Sequence, residues 1–265
     1  MDAINLTDSN RAIAAMAAIP AAVLVLGEGV DPIVQMTGRD RNRIALQADL
    51  LGASALGIEQ FLFMSGDDPK RGNHPDAVNV KDLDGIGLVK MAVTMRDKSQ
   101  FLSGDEIKRA PRYVIGATAS PFSKPMEADV AKTVEKVAAG ADFLQTQPVF
   151  DLVAFSQWLA EVRRLAGRSV AIIAGVMVLR SAEQAERFGK IPGIALGSDV
   201  LARLRGSADQ EAEGVAIATE IATSLRALPG VNGVHLYAIE WPEAVAKVVA
   251  GASLRTRSKA KERSA

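Results

Sequence analysis

The feature that most constrains this 265-residue chain is a regular alternation between short apolar runs and longer amphipathic stretches. The runs that read as strands are Ile4–Thr7, Pro32–Thr37, Phe61–Asp67, Tyr113–Ala119, Phe143–Phe150, Val170–Val178 and Val234–Ile239. Helical patterns lie near residues 9–28, 41–56, 83–96, 127–139, 152–165, 181–189 and 208–227. Strands that alternate with helices are joined by crossovers, and crossovers make a parallel sheet. The run Ala171-Ile-Ile-Ala-Gly-Val-Met-Val178 is almost wholly apolar, as a strand covered on both faces should be. The expected fold is α/β, a (β/α)8 TIM-type barrel over residues 1–252. Only about seven strand–helix units can be counted where a closed barrel has eight. The shortfall is at the front, so the barrel is expected to lack its first strand and helix.

Composition narrows the chemistry. Lys plus Arg and Asp plus Glu number 31 each, so no basic field invites nucleic acid. Without cysteine there is no disulfide, thiolate nucleophile or zinc–thiolate centre. His74 and His235 are too few and too far apart for a common zinc-hydrolase motif, and no metal site is expected. No leader-like segment opens the chain and no apolar run is long enough to cross a membrane, which makes a cytoplasmic protein the expectation. The tail, residues 253–265, is basic and expected to be frayed. Residues 68–82 form a polar loop longer than an ordinary βα turn, a candidate lid.

In a parallel α/β fold the chemistry sits where strands end. Those ends carry Thr7-Asp8-Ser9, Gln35-Met-Thr37-Gly-Arg39-Asp40, Ser65-Gly-Asp67-Asp68-Pro69, Ala117-Thr-Ala-Ser120, Gln145-Thr-Gln147 and His235-Leu-Tyr237. Parallel strands would gather these amides, hydroxyls and one prominent carboxylate, Asp67, on one rim. Such a set suits a heterocycle with alternating donors and acceptors. It does not make a Ser-His-Asp triad, and no G-x-G-x-x-G follows the first strand. Gln145 and Gln147 share a face by the two-residue period. Arg39-Asp40-Arg41-Asn42 reads as a charge cluster at a helix start, with Asp40 as the cap.

Five motifs in order resemble methylenetetrahydrofolate reductases. They are Met36-Thr-Gly-Arg-Asp-Arg-Asn42 with Ala48–Gly57 behind it, Ser65–Pro69, Gly140–Asp151, Gly175–Leu179 and Gly233–Tyr237. The resemblance implies a barrel that binds FAD and passes a hydride from NAD(P)H to 5,10-methylenetetrahydrofolate, giving 5-methyltetrahydrofolate. It implies flavin contacts at Thr7, Gln35, Thr37, Asp67, Ser120, Asp129, Lys136 and Ala141, although many members have histidine where Gln35 stands. It gives the pterin to Asp67 and Gln147, with Tyr237 also on the substrate, and makes Asp67 the catalytic carboxylate. The general acid in that family is a first-strand glutamate followed by Pro-Pro. No equivalent precedes Ile4–Thr7, so the chain as written is expected to be impaired in folate reduction. An internal GTG codon read as the start would explain both the missing acid and the missing strand. Two other readings stay open: a non-catalytic folate- or flavin-binding subunit completed by another copy or a partner, and a flavin-independent or methyl-oxidising folate enzyme.

Overall fold

A computed structural model describes residues 2–191 and 193–254. The strands are β1 (Ala3–Leu6), β2 (Asp31–Thr37), β3 (Gln60–Met64), β4 (Val114–Ala119), β5 (Phe143–Pro148), β6 (Ala171–Met177) and β7 (Gly233–Tyr237). They form one sheet in strict chain order, β1 to β7. The pairs β1–β2, β2–β3, β3–β4, β5–β6 and β6–β7 are all parallel. A doubly wound sheet reverses its order at a switch point; an order that never reverses is that of a TIM-type α/β fold. Seven strands occur among the described residues, as the alternation implied.

The helices are α1 (Ala18–Gly27), α2 (Arg43–Ala55), α3 (Gly85–Asp97), α4 (Met126–Ala138), α5 (Leu152–Leu165), α6 (Ala182–Gly189), α7 (Ser198–Gly206), α8 (Gln210–Ala227) and α9 (Glu243–Gly251). The chain clusters into two compact units. Among the described residues the first comprises 2–117 and 138–142, and the second 118–137 and 143–254. In the first unit Phe61, Leu62 and Phe63 of β3 are fully buried, and Tyr113 meets Phe61 edge-on at 5.4 Å. The core of the second is built on Leu144, Ile172, Ala174 and Val176 with Phe155 and Trp158 of α5, all without exposed surface. No described helix is long and apolar enough to cross a membrane.

Several boundaries differ from the sequence reading. The helix expected from residue 9 begins at Ala18, after a single 3-10 turn at Asn10–Ala12. Ser9, Arg11 and Ala12 take positive φ (49°, 57° and 56°), so the segment cannot continue as a right-handed helix. Its amides bond elsewhere, Arg11 N–H to the Asp67 carboxylate at 3.0 Å and Ala14 N–H to Asn73 Oδ1 at 3.1 Å. The cap of α2 is Asn42, whose Oδ1 accepts from Ile44 N–H and Ala45 N–H, both at 3.1 Å; Asp40 faces Arg39 instead. Helices α7 and α9 were not anticipated. Of the basic tail, residues 255–265 lie outside the described residues.

Candidate functional site

In the first unit the carboxyl ends of β1, β2 and β3 are tied together by side chains of the loops that follow them. Thr7 leaves β1 exposed, and Asp8 turns inward. Asp8 Oδ2 accepts from Thr37 N–H at 2.8 Å and Thr37 Oγ1 at 2.9 Å, and pairs with Arg41, which holds Asp49 at 3.0 Å. Thr37 therefore has both its donors on a protein carboxylate. Gln35, partly buried on β2, lines a cavity of about 220 Å³ together with Ala18, Ile19, Met36, Arg41 and Asp49.

Arg39 is the most buried cation of this rim, only 3% exposed. Its guanidinium grips Asp40 through two bonds of 2.6 and 2.7 Å and donates to the backbone carbonyls of Ser9 (3.0 Å) and Asp8 (3.3 Å). The hydrogen bond to Asp40, then the fields of Asp40, Asp8 and Asp67, hold it charged against the cost of burial. Asp67 follows Gly66, which has φ +86° and lies so close that an added Cβ would stand 3.0 Å from Arg39 Cβ and from Thr37 Cβ. Only glycine fits that turn. Asp67 is exposed; its Oδ2 takes the Arg11 N–H, and its Oδ1 accepts no hydrogen bond among the described residues.

The long loop after β3 is fastened along its length. Val80 N–H donates to Arg39 O (2.8 Å), Lys81 N–H to Gly38 O (3.1 Å), and Asn73 accepts from Ala14. Arg43 holds Asp82 through both carboxylate oxygens at 2.7 and 2.9 Å and pushes its carboxyl down to about 2. His74 is exposed on this loop. Ala141 is not at this rim. It is fully buried, and its neighbour Asp142 accepts from Ile115 N–H at 2.8 Å and from Arg96 at 2.5 Å, which places the pair beside the amino end of β4.

In the second unit Asp129 of α4 is the anchor. Its oxygens accept from Ser120 N–H (3.2 Å), Trp158 Nε1–H (2.9 Å) and, weakly, Thr133 Oγ1 (3.4 Å). Lys136, two turns further on, donates to Thr118 O at 2.6 Å. The structure thus brings Ser120, Asp129 and Lys136 together at the end of β4. On β5, Gln145 and Thr146 are buried and Gln147 is partly exposed. A register irregularity between Gln145 and Pro148 interrupts the two-residue period on which the shared face of the two glutamines was argued. Thr146 Oγ1 donates to Gln147 O (2.8 Å) and accepts from Gly175 N–H (3.0 Å). Tyr237 Oη–H donates to Thr146 O at 3.1 Å, and burial pushes its phenol up to about 12 against a hydrogen bond with Gln145 that acts the other way. His235 stands edge-on to Tyr237 at 4.2 Å, and burial pushes its imidazole down to about 4.

The family profile described as methylenetetrahydrofolate reductase matches residues 2–253. The chain belongs to the methylenetetrahydrofolate reductase family. Among curated relatives, methylenetetrahydrofolate reductase 2 of Schizosaccharomyces pombe is 22% identical over 84% of this chain and 36% of its own length. The probable methylenetetrahydrofolate reductase (NADPH) of Caenorhabditis elegans is 25% identical over 65% of this chain and 24% of its own. This chain therefore spans about a third or less of these relatives. Among solved structures, a Clostridium thermocellum protein that binds two copies of 5-methyl-5,6,7,8-tetrahydrofolic acid superposes with a TM-score of 0.63 at 14% identity, covering 95% of this chain and 81% of that one. The EDTA monooxygenase of Chelativorans sp. BNC1 reaches 0.55 at 10% identity, covering 96% and 83%. Both likenesses concern the fold.

From sequence, Asp8 falls on the rim, and Arg39 and Arg41 read as part of a charge cluster at a helix start capped by Asp40; the Asp8–Arg41 pair and the burial of Arg39 are not evident there. Two arginines flanking an aspartate directly after a buried strand were the available signal, because charges placed there are either paired or exposed. Nothing in the sequence pointed to Trp158 as the partner of Asp129.

Proposed function

We propose that this chain binds a reduced folate through Asp67 and carries out methylenetetrahydrofolate reductase chemistry. A hydride that originates on NAD(P)H reduces the methylene carbon while one of its two C–N bonds breaks, and the leaving nitrogen takes a proton from solvent. One observation carries the reading. Asp67 holds one carboxylate oxygen on the Arg11 amide and leaves the other open, on a rigid glycine turn within the Ser65–Pro69 motif. A pterin presents adjacent N–H donors, and a fixed carboxylate is their natural acceptor. Folate is also what the Clostridium thermocellum protein is described as binding. Gln147 and Tyr237 take substrate-binding roles in this reading on the strength of the family resemblance, as does the catalytic role of Asp67.

The donor set of the second unit fits FAD. Asp129 uses about three of its four lone-pair sites, which leaves one for a ribose hydroxyl. Lys136 is a partly exposed cation on the same helix, suited to a diphosphate. Ser120 lies beside them, and Thr7 and Gln35 keep their assigned flavin contacts. Thr37 acts indirectly, by fixing Asp8. When bound, the flavin would supply two-electron transfer between nicotinamide and folate. The protein's part is to hold the pterin still against the fixed Asp67 carboxylate.

The test is the visible spectrum of the 265-residue protein titrated with FAD, then reduced with NADH and reoxidised with methylenetetrahydrofolate. A flavin band that bleaches and returns supports the whole reading. A folded protein that binds 5-methyltetrahydrofolate but stays colourless removes FAD and favours direct hydride transfer, a variant for which Gln35 in place of histidine leaves room. A folded protein that binds no folate overturns the proposal.

A further inference from the structure

We propose that Arg39 is a positioning residue for Asp67, acting through the backbone of residues 8–12; the functional half of this inference rests on the folate reading above. Three of the four residues Ser9 to Ala12 have left-handed backbone without being glycine. Such conformations are disfavoured for residues with a Cβ and persist only where the surroundings over-determine them. Here the surroundings are the Arg39 guanidinium. It is buried, and two of its N–H groups reach the carbonyls of Asp8 and Ser9, at the entrance of the strained turn. The bidentate grip of Asp40 fixes the plane of the guanidinium and so the direction of those donors. On the far side Gly72 closes on the turn, where any Cβ would overlap the Ala12 carbonyl.

The strained turn has one output toward the candidate site. It aims the Arg11 N–H at Asp67 Oδ2 (3.0 Å), which consumes one acceptor and leaves Oδ1 to face a ligand. Gly66, the residue before Asp67, packs so close to Arg39 that an added Cβ would stand 3.0 Å from Arg39 Cβ. Lysine cannot replace this arginine, since a single ammonium lacks the planar fork that serves Asp40 and two carbonyls together. Released from Arg39, the turn relaxes, the Arg11 amide moves away, and Asp67 becomes a mobile carboxylate that must be ordered by its ligand.

The experiment is a double-mutant cycle with Arg39→Lys and Asp67→Ala in the full chain, read by calorimetric binding of 5-methyltetrahydrofolate. We expect Arg39→Lys to weaken binding about tenfold when Asp67 is present and less than twofold in the Asp67→Ala background. A folded Arg39→Lys protein that binds as the parent does, or loses the same factor in both backgrounds, overturns the proposal. Hydrogen exchange over residues 9–14 tests the link without folate. Faster exchange in Arg39→Lys is expected, and unchanged exchange refutes the positioning role even if the parent binds no folate. Should Arg39→Lys fail to fold, Arg11→Gly frees the backbone at φ 57° and leaves the buried guanidinium in place. About threefold weaker folate binding is then expected, and unaltered binding counts against the link.

Discussion

His235 and Tyr237 show how far a single strand can shift its own side chains. Both lie on β7, two residues apart and therefore on one face, and their rings meet edge-on at 4.2 Å. Burial disfavours the charged form of each, so the imidazole is pushed down to about 4 and the phenol up to about 12. The histidine has a consequence for stability. An unfolded histidine takes its proton near pH 6.5, whereas the folded one refuses it until about pH 4. The stabilisation is complete above pH 6.5 and is lost as pH falls through the window from 6.5 to 4. That gap corresponds to on the order of 3 kcal/mol, which solvent reaching the partly buried ring reduces to about 2 kcal/mol. Urea unfolding of the parent and of His235→Phe at pH 7.5 and 4.5 checks it. The variant should lose about 2 kcal/mol less than the parent between the two values, and parallel losses would refute the assignment.

At the scale of elements, strands were legible and helix starts were less so. The inner β runs were recognisable because burial on both faces leaves few polar residues; ends drifted by one to three residues, most at Ser65–Asp67, where polar residues prolonged the run past β3. The start of α1 was readable after all. Pro20 is tolerated in a first turn but not inside a helix, so a helix containing it begins close to Ala18, where the structure begins it. Helix α7 was hidden by brevity, nine residues bounded by Gly197 and Gly206. The rim network was illegible for another reason: bonds such as Asp8 to Thr37 and Arg11 to Asp67 join residues 29 and 56 positions apart, which no local pattern encodes. The cap of α2 makes the distinction testable. Asn42→Ala should cost about 1 kcal/mol, a fall of roughly 2–3 °C in Tm, and Asn42→Ser should recover most of it. No recovery in the serine variant would mean that Asn42 acts other than as a cap.

At the scale of the molecule, the chain combines two properties that oppose solubility. The formal net charge at pH 7 is zero, so no long-range repulsion keeps copies apart. Helix α1, Ala-Ile-Pro-Ala-Ala-Val-Leu-Val-Leu-Gly, has no polar side chain at all, and Leu24 stays 65% exposed. On α2 the outward positions Ile44, Ala48, Gly52 and Ala55 are likewise uncharged, with Ile44 73% exposed. A surface helix ordinarily turns a charged stripe to water. Exposed apolar stripes on a chain without net charge favour association near neutral pH. Leu24→Glu and Ile44→Glu each replace a side chain that gains little from burial, so neither should lower Tm by more than about 1 °C, the scale of ordinary surface changes. Together they add two negative charges and interrupt both stripes. We expect the double variant to stay soluble at several times the parent's limiting concentration at pH 7, measured by light scattering against concentration. At pH 5 protonation gives parent and variant alike a net positive charge, larger in the parent, so the variant should lose most of that advantage. If solubility rises equally at both pH values, removal of the apolar stripes alone accounts for the gain and the charge argument fails.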